Sequence, residues 1–402
     1  MISNQRLRTP TLSISVQEGT GTSMQQSTTW TGLSYLNTSN RLTRTILVSY
    51  PDSFRLEEGK SLVESADCKI VKVFSQKYLN HSQYGIGSGK AEEIREFVKV
   101  EGKENGIEQL VVDEHLTSRQ LHNLSKLVGV EAIDRERLIL NIFFSRATTT
   151  EARLQIELAE IQYEIPRVRE TARMTSGNER PGKGGMGEYT VDVKFRDLKR
   201  RMNFIKEKLV EAKRKRELYR QQRTRTQMPV VSLVGYTSSG KTTLFNVLTK
   251  ENKETSSSLF TTLSTTTRVL KFSDNRQELL LTDTVGFISR LPPYMIDAFK
   301  STLEESLAAD LILLLVDSSE GLENIDIKYS SCWDVMKELQ VDSAKVLVVL
   351  TKHDAVDEQK MQEIVKHLQL EDPLTISSKT GYGIHKLKNV MVRMSRQKMS
   401  GD

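Results

Sequence analysis

A short stretch with two glycines, a lysine and a threonine has the spacing of a phosphate-binding loop. Residues 235–242 read Gly-Tyr-Thr-Ser-Ser-Gly-Lys-Thr and fit G-x-x-x-x-G-K-[ST] at every fixed position. The two glycines allow turns that point successive amide N–H groups at phosphate oxygens. The lysine would reach the β- and γ-phosphates, and the last threonine would bind Mg²⁺ through its hydroxyl. The predicted nucleotide-binding residues of this loop are Gly235, Tyr236, Thr237, Ser238, Ser239, Gly240, Lys241, Thr242 and Thr243.

The residues on either side of this loop support that interpretation. An apolar run at 230–234 precedes the loop and another at 244–248 follows it. These runs predict a strand before the loop and a helix after it, which is the context that a phosphate loop requires. The alternative is a Gly- and Ser-rich turn that fits the pattern by chance, and the strand and helix argue against it.

Asp283-Thr-Val-Gly286 closes a second predicted strand and supplies the next groups that nucleotide chemistry needs. The Asp283 carboxylate can hold Mg²⁺ through water, and the Gly286 N–H can bind a γ-phosphate. The next position is Phe287, whose ring cannot orient an attacking water by hydrogen bonding. We therefore predict slow intrinsic hydrolysis that a partner accelerates.

The base specificity is predicted from the end of the strand at 345–351. Asp354 can accept hydrogen bonds from both N1–H and N2–H₂ of guanine, and adenine lacks that pair of donors, so GTP is favoured over ATP. A last strand is predicted at 374–377, and the backbone N–H near Ser378 could bond guanine O6. The predicted base-binding residues are Thr351, Lys352, Asp354, Ser377, Ser378 and Lys379.

The order of strands and helices around these motifs predicts the fold class and the domains. Strands that alternate with helices and carry ligand groups at their carboxyl ends indicate a doubly wound, mostly parallel α/β sheet of the P-loop GTPase type. The prediction is a disordered polar tail at 1–44, a small α/β domain at 45–145, a helical hairpin at 146–228 and a GTP-binding domain at 229–402. The apolar stripe of the first hairpin helix ends near Pro166, and a glycine-rich loop is predicted at 175–187.

Gly85-Ile-Gly-Ser-Gly-Lys90 resembles a second phosphate loop but fails at two fixed positions. Tyr84 stands where the first glycine belongs, and Ala91 stands where Ser or Thr belongs. We interpret this segment as a glycine-rich helix start, at which an anion such as an RNA phosphate could lie.

The second hairpin helix becomes strongly basic, with clusters at 199–201 and 213–216. One interpretation is an electrostatic contact with nucleic acid. The other is a solvated helix face, since Lys and Arg favour helices in any case. Aromatic residues are sparse here, so the first interpretation implies phosphate contacts rather than base stacking.

Composition limits the remaining possibilities. The 402-residue chain has a formal net charge of +6, and no apolar run has the length of a membrane span. Two distant cysteines indicate a reducing compartment. We expect a cytoplasmic protein that does not insert stably into membranes and is monomeric when free. An organelle matrix is the alternative, because the acid-poor tail carries Arg6 and Arg8 like a transit peptide.

The chain resembles the HflX GTPases of the Obg–HflX group over residues 45–390. The similarity is carried by Gly235-Tyr-Thr-Ser-Ser-Gly-Lys-Thr-Thr-Leu-Phe-Asn246, Leu259-Phe-Thr-Thr-Leu-Ser-Thr-Thr-Thr-Arg268, Asp283-Thr-Val-Gly-Phe-Ile288, Ile133-Asp-Arg-Glu-Arg-Leu-Ile-Leu-Asn-Ile-Phe143 and Gln155-Ile-Glu-Leu-Ala-Glu-Ile-Gln-Tyr163. The resemblance implies a GTPase that binds the large ribosomal subunit and its rRNA and, as in bacterial members, separates stalled or idle ribosomes under stress.

The same resemblance assigns roles to particular residues. Lys241, Thr262 and Gly286 would be the catalytic set, and Mg²⁺ would be bound by Thr242, Thr262 and Asp283. Thr262 would be the switch threonine, with Thr261, Thr266 and Thr267 as nearby competitors. Without the resemblance, two other functions stay open: a GTP-dependent signalling switch that binds a protein, and an RNA-remodelling nucleoside triphosphatase.

The chain departs from the family pattern at three places. Thr351 stands where the family usually has asparagine, and it lacks the amide that holds the phosphate loop, so weaker nucleotide binding is expected. Ser378 replaces a usual alanine. The hairpin linker keeps only fragments of the family's glycine-rich string at Lys183-Gly-Gly-Met-Gly-Glu188.

Overall fold

The computed structural model describes residues 42–176, 186–225, 228–251, 259–260, 265–272 and 277–399. The predicted tail at 1–44 therefore lies almost wholly outside the described residues, and so does most of the predicted linker loop.

Four parallel strands form the first sheet, in the order β2-β1-β3-β4. Its elements are β1 (Thr43–Ser49), α1 (Ser53–Ser65), β2 (Cys68–Ser75), α2 (Ser88–Asn105), β3 (Gln109–Val112), α3 (Ser118–Val128) and β4 (Glu131–Asp134). Strand β1 pairs with both β2 and β3, and its residues Ile46, Leu47 and Val48 are fully buried. Helix α2 begins at Ser88, directly after its N-cap Gly87, so the interpretation of that segment as a helix start is confirmed.

Three helices follow: α4 (Arg135–Arg146), α5 (Thr150–Ser176) and α6 (Met186–Arg225). Helices α5 and α6 lie together, joined by Arg201, which donates to both carboxylate oxygens of Glu157 at 2.5 and 2.9 Å. Pro166, where the apolar stripe ends, lies inside α5 and does not end the helix. Residues of α5 beyond Pro166 contact β4 and α3. Arg167 donates to Asp134 Oδ2 at 2.7 Å, and Glu170 accepts from Ser118 N at 2.9 Å. These contacts offset the backbone hydrogen bond that proline removes.

The second sheet has six strands in the order β10-β9-β8-β5-β7-β6. Its elements are β5 (Val230–Gly235), α7 (Lys241–Thr249), β6 (Thr266–Phe272), β7 (Gln277–Asp283), α8 (Pro293–Leu307), β8 (Leu311–Asp317), α9 (Leu322–Glu338), β9 (Val346–Thr351), α10 (Glu358–His367), β10 (Leu374–Thr375) and α11 (Ile384–Met399). Among the described strand pairings of this sheet, the β6–β7 pairing alone is antiparallel.

The continuous apolar run of β8 explains its central position. Every residue of β8 is buried, because helices cover both faces of a mostly parallel sheet. Leu313 and Leu315 belong to the same buried cluster as Leu233 on β5 and Phe245 on α7. This packing fixes the helix and strand on either side of the predicted phosphate loop. Among the helices that the structure describes, none is both long enough and apolar enough to cross a membrane.

Candidate nucleotide site

The predicted motifs lie at the carboxyl ends of parallel strands and therefore at one edge of the second sheet. Strand β5 leads into residues 235–242, β7 ends at Asp283, β9 ends at Thr351, and Ser377 follows β10. This edge is where ligands bind in open α/β sheets. Neighbouring strands β5 and β7 bring the first two motifs into direct contact.

The phosphate loop runs so close to the sheet that its first residue has no room for a side chain. A Cβ on Gly235 would lie 2.5 Å from the carbonyl oxygen of Leu315. Helix α7 then begins at Lys241, so the positive end of its dipole faces the loop. Thr237 and Ser239 are buried within the loop, whereas Ser238 and Thr243 are exposed.

Lys241 is folded back into the loop. Its Nζ donates to the carbonyl oxygens of Gly235 at 3.0 Å and Tyr236 at 2.6 Å. Burial lowers the pKa of Lys241 to about 8, while the nearby Asp283 carboxylate acts in the opposite direction. A bound phosphate would supply the negative charge that this buried ammonium lacks.

The second motif lies against the loop and is joined to it by backbone hydrogen bonds. Thr237 N donates to Phe287 O at 2.8 Å, and Phe287 N donates to Gly235 O at 3.1 Å. Thr242 Oγ1 lies 3.1 Å from Asp283 Oδ2. The Phe287 side chain is buried, and its ring has no group that could hydrogen-bond to a water at the loop.

The predicted base-binding residues also lie together. Ser377 Oγ donates to Asp354 Oδ1 at 2.5 Å, which lowers the pKa of Asp354, and Lys379 contributes in the same direction. Asp354 and Lys379 are exposed, and Ser378 is half-buried. Lys352 Nζ lies 2.5 Å from Asp317 Oδ2. Sequence reasoning missed the stacking of His353 on Tyr382, whose ring centroids are 4.1 Å apart.

Thr351 contacts the phosphate loop although it lacks the amide of asparagine. Its hydroxyl lies 2.9 Å from the carbonyl oxygen of Ser239 and 3.1 Å from that of Val316. Threonine is shorter than asparagine, but strand β9 ends close enough to the loop for a hydroxyl to reach it. The Thr351 hydroxyl therefore connects the phosphate loop to the sheet, with its one proton shared between these two carbonyl oxygens.

Replacing Thr351 with valine is expected to weaken GDP and GTP binding about fivefold to tenfold. Valine keeps the shape but leaves a buried carbonyl without its donor, which costs about 1 kcal/mol or more. Isothermal titration at pH 7.5 measures the change. Thr351→Ser, which keeps the hydroxyl, is the control and should bind like the wild type. Equal affinities for Thr351→Val and the wild type would contradict the prediction.

The switch threonine cannot be placed, since Thr261 and Thr262 lie outside the described residues. Two of its three competitors are in strand β6, where Thr266 pairs with Asp283 and Thr267 pairs with Thr282. The hydroxyls of Thr267 and Thr282 are 3.0 Å apart. Thr266 and Thr267 are therefore held in the sheet.

The fold and this site define a P-loop GTPase, with a phosphate loop, an adjoining D-x-x-G motif and an exposed aspartate after β9 at one sheet edge. Sequence models of protein families match three consecutive segments. They are described as "GTP-binding GTPase N-terminal" over residues 53–144, "GTP-binding GTPase Middle Region" over 146–223 and "50S ribosome-binding GTPase" over 230–352.

The chain belongs to the HflX family of GTPases. It is 40% identical over 343 residues to the GTPase HflX of Methanocaldococcus jannaschii, covering 85% of this chain and 83% of that protein. It is 38% identical over 348 residues to the Thermococcus kodakarensis protein of the same name, covering 84% and 76%. A solved structure of an SsGBP and GDP complex is similar at 26% identity, with a TM-score of 0.51 and coverage of 89% of this chain and 99% of that one. This chain is accordingly an enzyme that binds and hydrolyses GTP.

Proposed function

We propose that GTP binds across the edge of the second sheet, with its phosphates on residues 235–242 and its base at Asp354. Lys241 would exchange its two carbonyl contacts for β- and γ-phosphate oxygens. Gly286 would donate its N–H to the γ-phosphate, because the motif already lies against the loop. Asp354 would accept from guanine N1–H and N2–H₂, with Ser377 holding one carboxylate oxygen in place.

We further propose that Thr242 and Asp283 hold Mg²⁺. They offer a hydroxyl and a carboxylate oxygen 3.1 Å apart, and oxygen ligands of these kinds are those that Mg²⁺ prefers. When bound, the ion would neutralise charge on the β- and γ-phosphates. Thr262 is proposed as a further ligand on the family resemblance alone.

We propose that the GTP-bound protein binds the large ribosomal subunit through rRNA phosphates, with α6 as a principal contact. The observation that carries this proposal is the distribution of charge on α6. Leu198 and Ile205 form the buried stripe that faces the rest of the protein. Exposed cations on α6 outnumber its exposed acids Asp192, Asp197, Glu207, Glu211 and Glu217. These cations are Lys194, Arg196, Lys199, Arg200, Lys206, Lys208, Lys213, Arg214 and Lys215. Such a surface fits a phosphate backbone.

The description of one matching family model also supports a ribosome partner, because it reads "50S ribosome-binding GTPase". With a buried Phe287 in place of a water-orienting side chain, intrinsic hydrolysis would be slow, and the ribosome would accelerate it. A ribosome partner would place the protein in the cytoplasm, or in an organelle matrix that contains ribosomes. Separation of ribosomal subunits under stress is proposed as the outcome of binding.

Charge reversal on α6 should weaken cosedimentation with large subunits about tenfold at physiological salt when a non-hydrolysable GTP analogue is bound. The variant is Lys206→Glu with Arg214→Glu, and the slope of log K against log salt should shrink by about one for each lost phosphate contact. Lys366→Glu with Lys386→Glu, both exposed on the second-sheet domain, gives the same charge change as a control. GTP turnover should rise on adding subunits to the wild type.

Other outcomes would point to the alternative functions. Binding that is insensitive to both salt and the α6 charges would contradict an rRNA contact and favour a protein partner. Fast turnover without ribosomes would contradict partner-stimulated hydrolysis. ATP competing as well as GTP would contradict the role of Asp354 and favour a general nucleoside triphosphatase.

A further inference from the structure

A buried polar cluster joins the first-sheet domain to the nucleotide site. We call it the Glu58 cluster, and it consists of Glu58 on α1, Asp113 after β3, Arg135 at the start of α4, Tyr236 in the phosphate loop and Ser289 after Gly286. All five residues are less than a tenth exposed. The first three come from one domain and the last two from the other.

Arg135 is the cation of the cluster and contacts both domains. Its guanidinium donates to Asp113 Oδ1 at 2.6 Å and to Glu58 Oε2 at 2.7 Å. It also donates to the carbonyl oxygen of Ser289 at 2.9 Å. Burial opposes ionisation of Glu58, but Arg135 and the hydrogen bonds from Ser289 and Tyr236 together lower the pKa of this carboxyl. Glu58 is therefore a buried carboxylate at neutral pH.

Glu58 holds two segments of the nucleotide site at once. Its Oε1 accepts from the Tyr236 hydroxyl and from Ser289 N at 3.1 Å, and its Oε2 accepts from Ser289 Oγ at 2.5 Å. Tyr236 belongs to the phosphate loop, and its carbonyl oxygen accepts from Lys241 Nζ at 2.6 Å. Ser289 lies three residues after Gly286. One side chain from the first domain therefore fixes both segments that contact a γ-phosphate in the proposed site.

Stability alone does not account for such an arrangement. Replacing a buried ion network with apolar side chains of similar volume is often neutral or stabilising, so buried charges are weak evidence for a stabilising role. Their directional hydrogen bonds do, however, specify one relative position of the groups they join. Here those groups are the phosphate loop and the segment that carries Gly286.

We propose that Glu58 is a positioning residue for GTP hydrolysis. Through Tyr236 and Ser289 it sets the distance between the phosphate loop and the Gly286 amide, and so the geometry offered to the γ-phosphate. GDP lacks that phosphate, so its binding does not depend on the Gly286 amide. The contribution should appear in kcat rather than in affinity for GDP. This positioning role of Glu58 concerns GTP hydrolysis alone and does not depend on ribosome binding.

Steady-state GTP hydrolysis by the full-length chain without ribosomes tests the proposal. Glu58→Gln, which removes the charge, is expected to lower kcat about tenfold while KM and the Kd for GDP change by less than about threefold. Glu64→Gln is the control, because Glu64 is exposed on the same helix. A merely structural role would instead lower the melting temperature and weaken GDP and GTP binding together, and that result would overturn the proposal.

A second variant is needed because Glu58→Gln leaves Arg135 with a reduced counter-charge and can unfold the protein. Tyr236→Phe with Ser289→Ala removes two hydrogen bonds to Glu58 and leaves its ion pair with Arg135 intact. This double variant should show the same loss of kcat with unchanged GDP affinity. Adding Glu58→Gln to it should cost less than the product of the separate losses, because the three residues act as a unit. Wild-type kcat in the double variant would overturn the proposal, whatever Glu58→Gln does.

Discussion

Gly286→Ala is expected to lower kcat for GTP about 10²- to 10³-fold and to leave GDP affinity nearly unchanged. A Cβ at this position would lie 2.8 Å from Thr237 Cγ2, 3.0 Å from Thr237 Cα and 3.0 Å from Lys241 Nζ. The segment must therefore move away from the phosphate loop, and the amide that would bind the γ-phosphate moves with it. Loss of one positioned donor to a reacting group has an effect of this size.

Gly321→Ala is the matched control for that experiment. Gly321 precedes α9 with a φ of −71°, and nothing lies within 4 Å of an added Cβ, so alanine fits without strain. Single-turnover hydrolysis with saturating enzyme separates the chemical step from binding. Hydrolysis by Gly286→Ala at the wild-type rate would mean that this amide does not contact the γ-phosphate.

The sequence predicted the second sheet well because each chemical motif follows a buried strand. Parallel strands place their carboxyl ends at one edge, so residues as distant as Gly235 and Asp354 could be assigned to one site before any coordinates. Strand topology alone brings these residues to one edge, whatever the side-chain geometry. Contacts between individual atoms require more: whether the Thr351 hydroxyl reaches the Ser239 carbonyl depends on ångström-scale placement of β9.

The Glu58 cluster illustrates what periodicity cannot reveal. Glu58 and Tyr236 are separated by 178 positions and lie in different domains, so no local pattern links them. Helix α1 buries Glu58 among apolar residues, where a sequence argument places a solvent-facing side chain. One signal was available: Tyr236 puts a large aromatic side chain into a loop that binds phosphate through its backbone. Such a side chain requires a covering surface, which the first-sheet domain provides.

Helix α5 shows the same limitation for local propensity. A proline inside a helical pattern often ends or kinks the helix, yet α5 continues past Pro166 to Ser176. Arg167 donates to the carbonyl oxygen of Leu116 at 2.9 Å and to Asp134, so tertiary contacts select the longer helix. Propensity is a weak predictor wherever such contacts form.

Asp354→Asn is expected to weaken GTP binding about 10²-fold or more and to create a preference for xanthosine triphosphate. The aspartate would accept two charge-assisted hydrogen bonds from guanine, each of which contributes about 1.5–3 kcal/mol. An asparagine amide presents an NH₂ to the guanine N2 donor, and two donors cannot pair. Xanthine carries a carbonyl oxygen at that position, so the same NH₂ can donate to it, while the amide oxygen still accepts from N1–H.

Asp357→Asn is the control, because Asp357 is exposed. The Asp357 side chain caps α10 by accepting from Lys360 N at 2.8 Å, and an asparagine side chain can accept the same hydrogen bond. Competition between GTP, ATP and xanthosine triphosphate for a fluorescent GDP analogue measures all three affinities on one protein. A gain for the xanthine nucleotide alongside the loss for GTP would distinguish altered base recognition from damage to the site, because damage weakens every nucleotide alike. If Asp354→Asn weakens all three equally, Asp354 supports the loop after β9 and does not read the base.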